Sequence, residues 1–157
     1  ESRWYTWPFS VRPVWYYLAS GLPQGLRGTI AALGNLPVWL AALAGLGWAF
    51  WRQLSGRGNG ATGAVTVLFL TQFLPWVLVS RCTFLYHYFP SLWFAVAALA
   101  LAAANLYERR PALARRLCIG IAAAAGVFFV CYYPVISGLP VAEPYVNALR
   151  ILPSWMF

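Results

Sequence analysis

Polar positions are so sparse in this chain that they read as punctuation between apolar runs. The first run, residues 29–51, is apolar except for Asn35 and closes on Trp48, Trp51 and Arg52, residue types that anchor a helix at a membrane interface. As a helix, a run of this length crosses the ~30 Å hydrocarbon layer. The glycine and serine of SGRGNG, residues 55–60, make a flexible turn. A second run, residues 61–80, carries Thr62, Thr66, Thr71 and Gln72, with Pro75 predicted to kink or end it. The third begins near Thr83 and continues to Tyr107, and its alanine- and leucine-rich second half allows close helix approach in lipid. Glu108, Arg109, Arg110, Pro111, Arg115 and Arg116 then form the most charged loop, before a fourth run, residues 117–133, that stops at Pro134. The pattern predicts an all-α membrane protein with four transmembrane helices.

The two ends differ from the runs. In residues 1–28, Trp4, Tyr5, Trp7, Phe9, Trp15, Tyr16 and Tyr17 are interleaved with Arg3, Arg12, Pro8 and Pro13. Amphipathic rings at this density belong at headgroup level, so the head is expected to lie along the membrane surface. The tail, residues 135–157, is similarly rich in proline and aromatics.

Composition narrows the function classes. A net charge of +8 would point to nucleic acid in a soluble protein, but here the arginines flank apolar runs, so no nucleic-acid partner is expected. Loops after the first and third runs hold six arginines, while the head, the Arg81 turn and the tail hold five. That balance, with end arginines lying partly beyond the range that counts, places head, turn and tail outside or in a lumen. There is no lysine and no aspartate, and the only carboxylates are Glu1, Glu108 and Glu143. Cys82, Cys118 and Cys131 have neither a pairing pattern nor metal-ligand spacing, and Cys118 and Cys131 are expected to be buried. No metal or cofactor is expected. The sequence opens on Glu1 without a recognisable signal peptide and is expected to be part of a longer chain.

Polar chemistry gathers at residues 74–90, LPWVLVSRCTFLYHYFP, which hold Arg81 and the only histidine, His87. In a helix continuous from Arg81, Leu85 and Tyr88 share the arginine's face, while Thr83, His87 and Ser91 form a second stripe. A guanidinium can meet phosphate oxygens with two parallel hydrogen bonds, and histidine or tyrosine can add donors. The competing reading has Arg81 snorkelling to ordinary headgroups and Tyr86 and Tyr88 in an aromatic belt. Asn35 and Gln72 are expected to bond across helices. Glu108 pairs with neighbouring arginines in this reading, leaving no convincing general base.

Three stretches read together: RWYTWPFSVRPVWYY followed by LRGTIAALGNLPVWL, then LPWVLVSRCTFLYHYFPSLWF, then YYPVISGLPVAEPYVNALRILPSWMF. In order and spacing they resemble the C-terminal four-span domain of protein O-mannosyltransferases, in its bacterial style. The resemblance implies part of a GT-C glycosyltransferase that moves mannose, with inversion, from a polyprenyl- or dolichyl-phosphate donor to serine or threonine of a translocated protein. The family's catalytic acid lies in an N-terminal half outside this sequence, so no catalytic residue is expected here. Implied partners are the lipid-linked donor, the acceptor protein, membrane lipids and that N-terminal half. A bacterial plasma membrane is favoured over the endoplasmic reticulum. By the same resemblance, Arg81 and His87, with Tyr86 and Tyr88 beside them, contribute to the donor or acceptor region, and Trp7 and Arg12 are second-rank candidates. A polyprenol-phosphate or lipid transporter and a noncatalytic membrane scaffold are the alternatives.

Overall fold

The computed structural model describes residues 1–157. Four long helices dominate: α1, Leu36–Leu54; α2, Gly60–Phe73; α3, Phe89–Arg109; and α4, Pro111–Ser137. A short helix α5, Glu143–Ala148, follows in the tail. Three segments are long and apolar enough to cross a membrane: Gly60–Leu78, Leu85–Arg109 and Pro111–Ser137. The helix α1 is not among them, because its three tryptophans, Arg52 and Gln53 dilute its hydropathy.

Each helix boundary has a local cause. Asn35 caps α1, its side chain accepting from the Val38 N–H at 3.4 Å, and Pro37 occupies the first turn, where its missing donor costs nothing. Asn59 and Thr62 cap α2 reciprocally. At Pro75 the α-helix gives way to a 3-10 turn, Leu74–Leu78. The expected continuous helix from Arg81 does not form: residues 79–84 are irregular, and a second 3-10 turn, Leu85–Tyr88, leads into α3. The charged loop is also shorter than expected. Arg110 alone joins α3 to α4, so Arg115 and Arg116 lie in the first turns of α4.

Pro134 does not end α4. The helix continues to Ser137 and stops at Gly138, whose left-handed φ of 81° suits glycine. Burial of Tyr132 and Val135 in a cluster with Ala31, Val146, Trp155 and Phe157 holds the last turn despite the lost hydrogen bond.

The first helix begins at Leu36, not at Thr29, because Thr29–Ala32 is a strand, β3. It pairs antiparallel with β1, Val14–Leu18, with a bulge between Trp15 and Tyr17. A second ladder joins β2, Leu26–Arg27, to β4, Val141–Ala142, tying head to tail.

The helices pack through small residues. Ala42, Gly45 and Ala49 of α1 and Ala95 and Ala98 of α3 are all buried. At Gly45 the backbones come so close that an added Cβ would lie 2.4 Å from the Leu99 Cα. In lipid such van der Waals contact replaces the hydrophobic drive available in water. Asn35 adds a cross-helix bond, donating from Nδ2 to the Ala125 carbonyl of α4 at 3.0 Å. Gln72 is exposed and bonds to no other helix.

The short links between α1 and α2 and between α3 and α4 put Arg52, Arg57, Arg109, Arg110, Arg115 and Arg116 at one end of the bundle. The head, the Arg81 turn and the tail share the other.

Candidate functional site

The head is folded onto the turn that follows α2. The Ser2 N–H donates to the Thr83 carbonyl and the Thr83 hydroxyl donates to the Ser2 carbonyl, both at 2.8 Å. The Ser2 hydroxyl in turn accepts from Trp7 Nε1 at 2.9 Å. This sets the fully buried Trp7 ring against His87, stacked at 5.8 Å between centroids and 19° between planes, and edge-on to Trp76 at 5.4 Å. Trp76 also meets His87 at 4.5 Å between centroids, and the Tyr86 ring lies 4.4 Å from it. The imidazole therefore sits among three aromatic rings.

Within the 3-10 turn, His87 Nδ1 lies 3.1 Å from the Phe84 nitrogen and 2.9 Å from the Phe84 oxygen. Nδ1 thus has a backbone partner in either tautomer. Nε2 has no protein partner and is not buried, which leaves it available to an incoming group.

Arg81 is exposed and makes no hydrogen bond or ion pair within the chain. It lines a pocket of about 290 Å³ together with Glu1, Arg3, Tyr5, Ser80 and Thr83. A neighbouring pocket of about 270 Å³ contains Arg12, Phe84 and Ser154, and shares Glu1 and Ser2 with the first. Arg12 donates to the Glu1 carbonyl at 3.0 Å. Three guanidiniums against one carboxylate give the paired pockets a positive field that favours an anion. The thiol of Cys82, exposed beside Arg81, is raised above its ordinary pKa, first by a hydrogen bond with the Glu1 side chain and then by desolvation and that residue's charge.

Of the candidates from sequence, His87, Tyr86 and Trp7 come together in one aromatic cluster, while Arg81 lines the pocket beside the head and Arg12 the adjoining one. Tyr88 does not join them. It is 1% exposed and packs on Trp39, Phe69 and Phe73 in the bundle core. Arg3, Trp76 and Glu1 were not expected there. Trp76 follows Pro75 in an otherwise apolar motif and carries no polar signal of its own.

The tail closes the same end. Trp155 Nε1 donates to the Ser10 carbonyl at 3.0 Å, and the Ser154 hydroxyl donates to the Val11 carbonyl. Ser10 is buried at a positive φ of 49°, a strained position for a side-chain-bearing residue; its hydroxyl accepts from the Gly34 N–H at 3.3 Å. Arg27 and Glu143 add an ion pair at 3.6 Å. Of the other carboxylates, Glu108 lies at the opposite end and Glu1 lines both pockets.

The polyprenol-phosphate-mannose–protein mannosyltransferase of Mycolicibacterium smegmatis is 31% identical over 168 residues, an alignment covering 99% of this chain and 32% of that protein. Dolichyl-phosphate-mannose–protein mannosyltransferase 1 of Saccharomyces cerevisiae is 24% identical over 176 residues, covering 99% of this chain and 21% of the yeast protein. The chain therefore spans less than a third of the length of these relatives. The solved structure of the S. cerevisiae protein O-mannosyltransferase Pmt1-Pmt2 complex bound to the sugar donor shares the fold, with a TM-score of 0.79 at 23% identity over 100% of this chain and 24% of that chain. A family model described as the C-terminal four TMM region of protein-O-mannosyltransferase matches residues 1–155, and this chain belongs to that family.

Proposed function

We propose that this chain is the C-terminal membrane part of an enzyme that transfers mannose from a polyprenyl- or dolichyl-phosphate donor to serine or threonine hydroxyls of a translocated protein. In this reading the chain supplies scaffold and one wall of the donor site, and the catalytic carboxylate comes from the N-terminal half. The observation that carries the proposal is the unpaired Arg81 guanidinium beside Arg3, at the end where His87 Nε2 is also free. Two guanidiniums bind phosphate oxygens through paired, charge-assisted bonds, and Nε2 can meet a further oxygen of phosphate or sugar.

The helix α1 serves as the fourth span, its tryptophans and Arg52 forming an interfacial end. Head, Arg81 turn and tail face outward from the cell, since the six arginines at the opposite end favour the cytoplasmic side. A bacterial plasma membrane fits the higher identity to the mycobacterial relative, 31% against 24% for the yeast one.

The test is Arg81→Ala in the full-length enzyme, assayed for mannosyl transfer to an acceptor peptide. Loss of one charged hydrogen bond, ~1.5 kcal/mol, raises the donor KM about tenfold. Unchanged KM and turnover would return Arg81 to contact with ordinary headgroups.

A further inference from the structure

The arginine-rich end carries a second feature, independent of the donor site. Between α1, α3 and α4 lies an apolar groove of about 730 Å³, running along α3 from Val96 to Arg109 and along α4 from Ala114 to Ala125. At 1.5 Å per residue this is about 20 Å along α3, somewhat more than the ~15 Å thickness of one hydrocarbon leaflet. Its walls are mostly small and aliphatic, with Ala103 and Ala122 among them, and its charged residue, Arg109, stands at the bundle end.

The same end offers an unmet donor. Arg52 lies over the ring of Trp48, a wall residue, at 5.5 Å, and its Nε is buried without a partner. A buried N–H at the edge of a bilayer calls for an acceptor. Around it the end holds Arg52, Arg57, Arg109, Arg110, Arg115 and Arg116 against Glu108 alone. An occupant with an apolar chain one leaflet long and a negative head satisfies both the groove and its rim.

We propose that this groove holds an acyl chain of an anionic phospholipid from the leaflet at the arginine end, with Arg109 and Arg52 binding its phosphate. The charge of the rim favours that lipid over a further helix of the longer protein, which would have to bring its own carboxylate to the same depth.

The full-length enzyme is reconstituted in phosphatidylcholine vesicles containing a minor fraction of phosphatidylglycerol with a photoactivatable acyl chain, and the labelled peptides are mapped. Expected labels fall on groove residues such as Val96, Leu99, Ala103, Leu117, Ile121 and Ala122, and unlabelled phosphatidylglycerol displaces them where phosphatidylcholine does not. Arg109→Ala cuts labelling several-fold, and Ala122→Trp, which fills the groove, removes it while thermal unfolding stays cooperative. Labels spread equally over the exposed outward residues Ile119, Val127 and Val130 would overturn the proposal. So would equal displacement by phosphatidylcholine, or cross-linking of the groove residue Cys118 to a helix of the N-terminal half.

Discussion

Ser2 and Thr83, 81 residues apart, are joined by two hydrogen bonds of 2.8 Å, one backbone to backbone and one from the threonine hydroxyl. This pair fixes where Trp7 meets His87, because the Ser2 hydroxyl holds the indole nitrogen. Thr83→Val keeps the shape and removes one donor, leaving the Ser2 carbonyl unsatisfied at a cost of about 1 kcal/mol. Faster hydrogen exchange over residues 2–10, with no change in the α1–α3 amides, is the expected result. Uniform loss of protection across the bundle would place the pair in the global fold instead of in the docking of the head.

His87 has two separable jobs, since Nδ1 serves the Phe84 backbone and Nε2 is free. His87→Asn can keep the turn through its side-chain amide while withdrawing the second nitrogen. Loss of one neutral hydrogen bond, ~1 kcal/mol, lowers kcat/KM for the donor about fivefold with the melting temperature unchanged. His87→Ala loses both functions and lowers the melting temperature as well. Equal activity of the asparagine variant and the parent would confine His87 to holding the turn.

Two glycines of α1 make a paired test of helix contact. A methyl group at Gly45 would strike the Leu99 backbone, whereas at Gly47 it meets nothing within 4 Å. Gly45→Ala therefore destabilises by about 1–3 kcal/mol through overpacking. Gly47→Ala is neutral or stabilising by up to ~1 kcal/mol, since alanine favours the helix. Thermal unfolding of the two variants, side by side, measures the contrast.

The thiol of Cys82 titrates above its ordinary range chiefly because of its hydrogen bond with the Glu1 side chain. A raised pKa means less thiolate at a given pH, so maleimide labelling of Cys82 is slowed at mildly alkaline pH. Glu1→Gln removes the negative charge, shifts the labelling-rate profile to lower pH and speeds the reaction. Identical profiles for the two proteins would show that Glu1 and Cys82 do not interact in the membrane.

Much of the helical part of this fold is legible in the sequence because a spanning segment must be apolar over most of its length, as in residues 61–80 and 117–133. What escapes is what tertiary contact decides. Trp15, Tyr16 and Tyr17 read as interfacial rings, yet they form a strand because Thr29–Ala32 lies alongside to pair with them. Pro134 reads as a stop, but packing of Tyr132 and Val135 against the tail carries the helix past it. The same holds at the candidate site. Arg81 and His87 stand out as polar residues in an apolar stretch, whereas Arg3 reaches it only through the folding of the head over the turn, and Trp76 meets His87 only because the chain turns back between them. Tyr88 shows the converse, since a residue adjacent to His87 in sequence faces the core when the 3-10 turn rotates it away.

The single-residue joint at Arg110 bears on how the protein lies in its membrane. With α3 ending at Arg109 and α4 starting at Pro111, no polar tether can lie slack between them. A joint this short makes α3 and α4 a single helical hairpin, the two packed side by side. Arg109, Arg110, Arg115 and Arg116 sit at its bend, which in the orientation proposed above stays on the side of synthesis. In that orientation the hairpin carries its charge at the bend and turns its two far ends toward the side where head and tail meet.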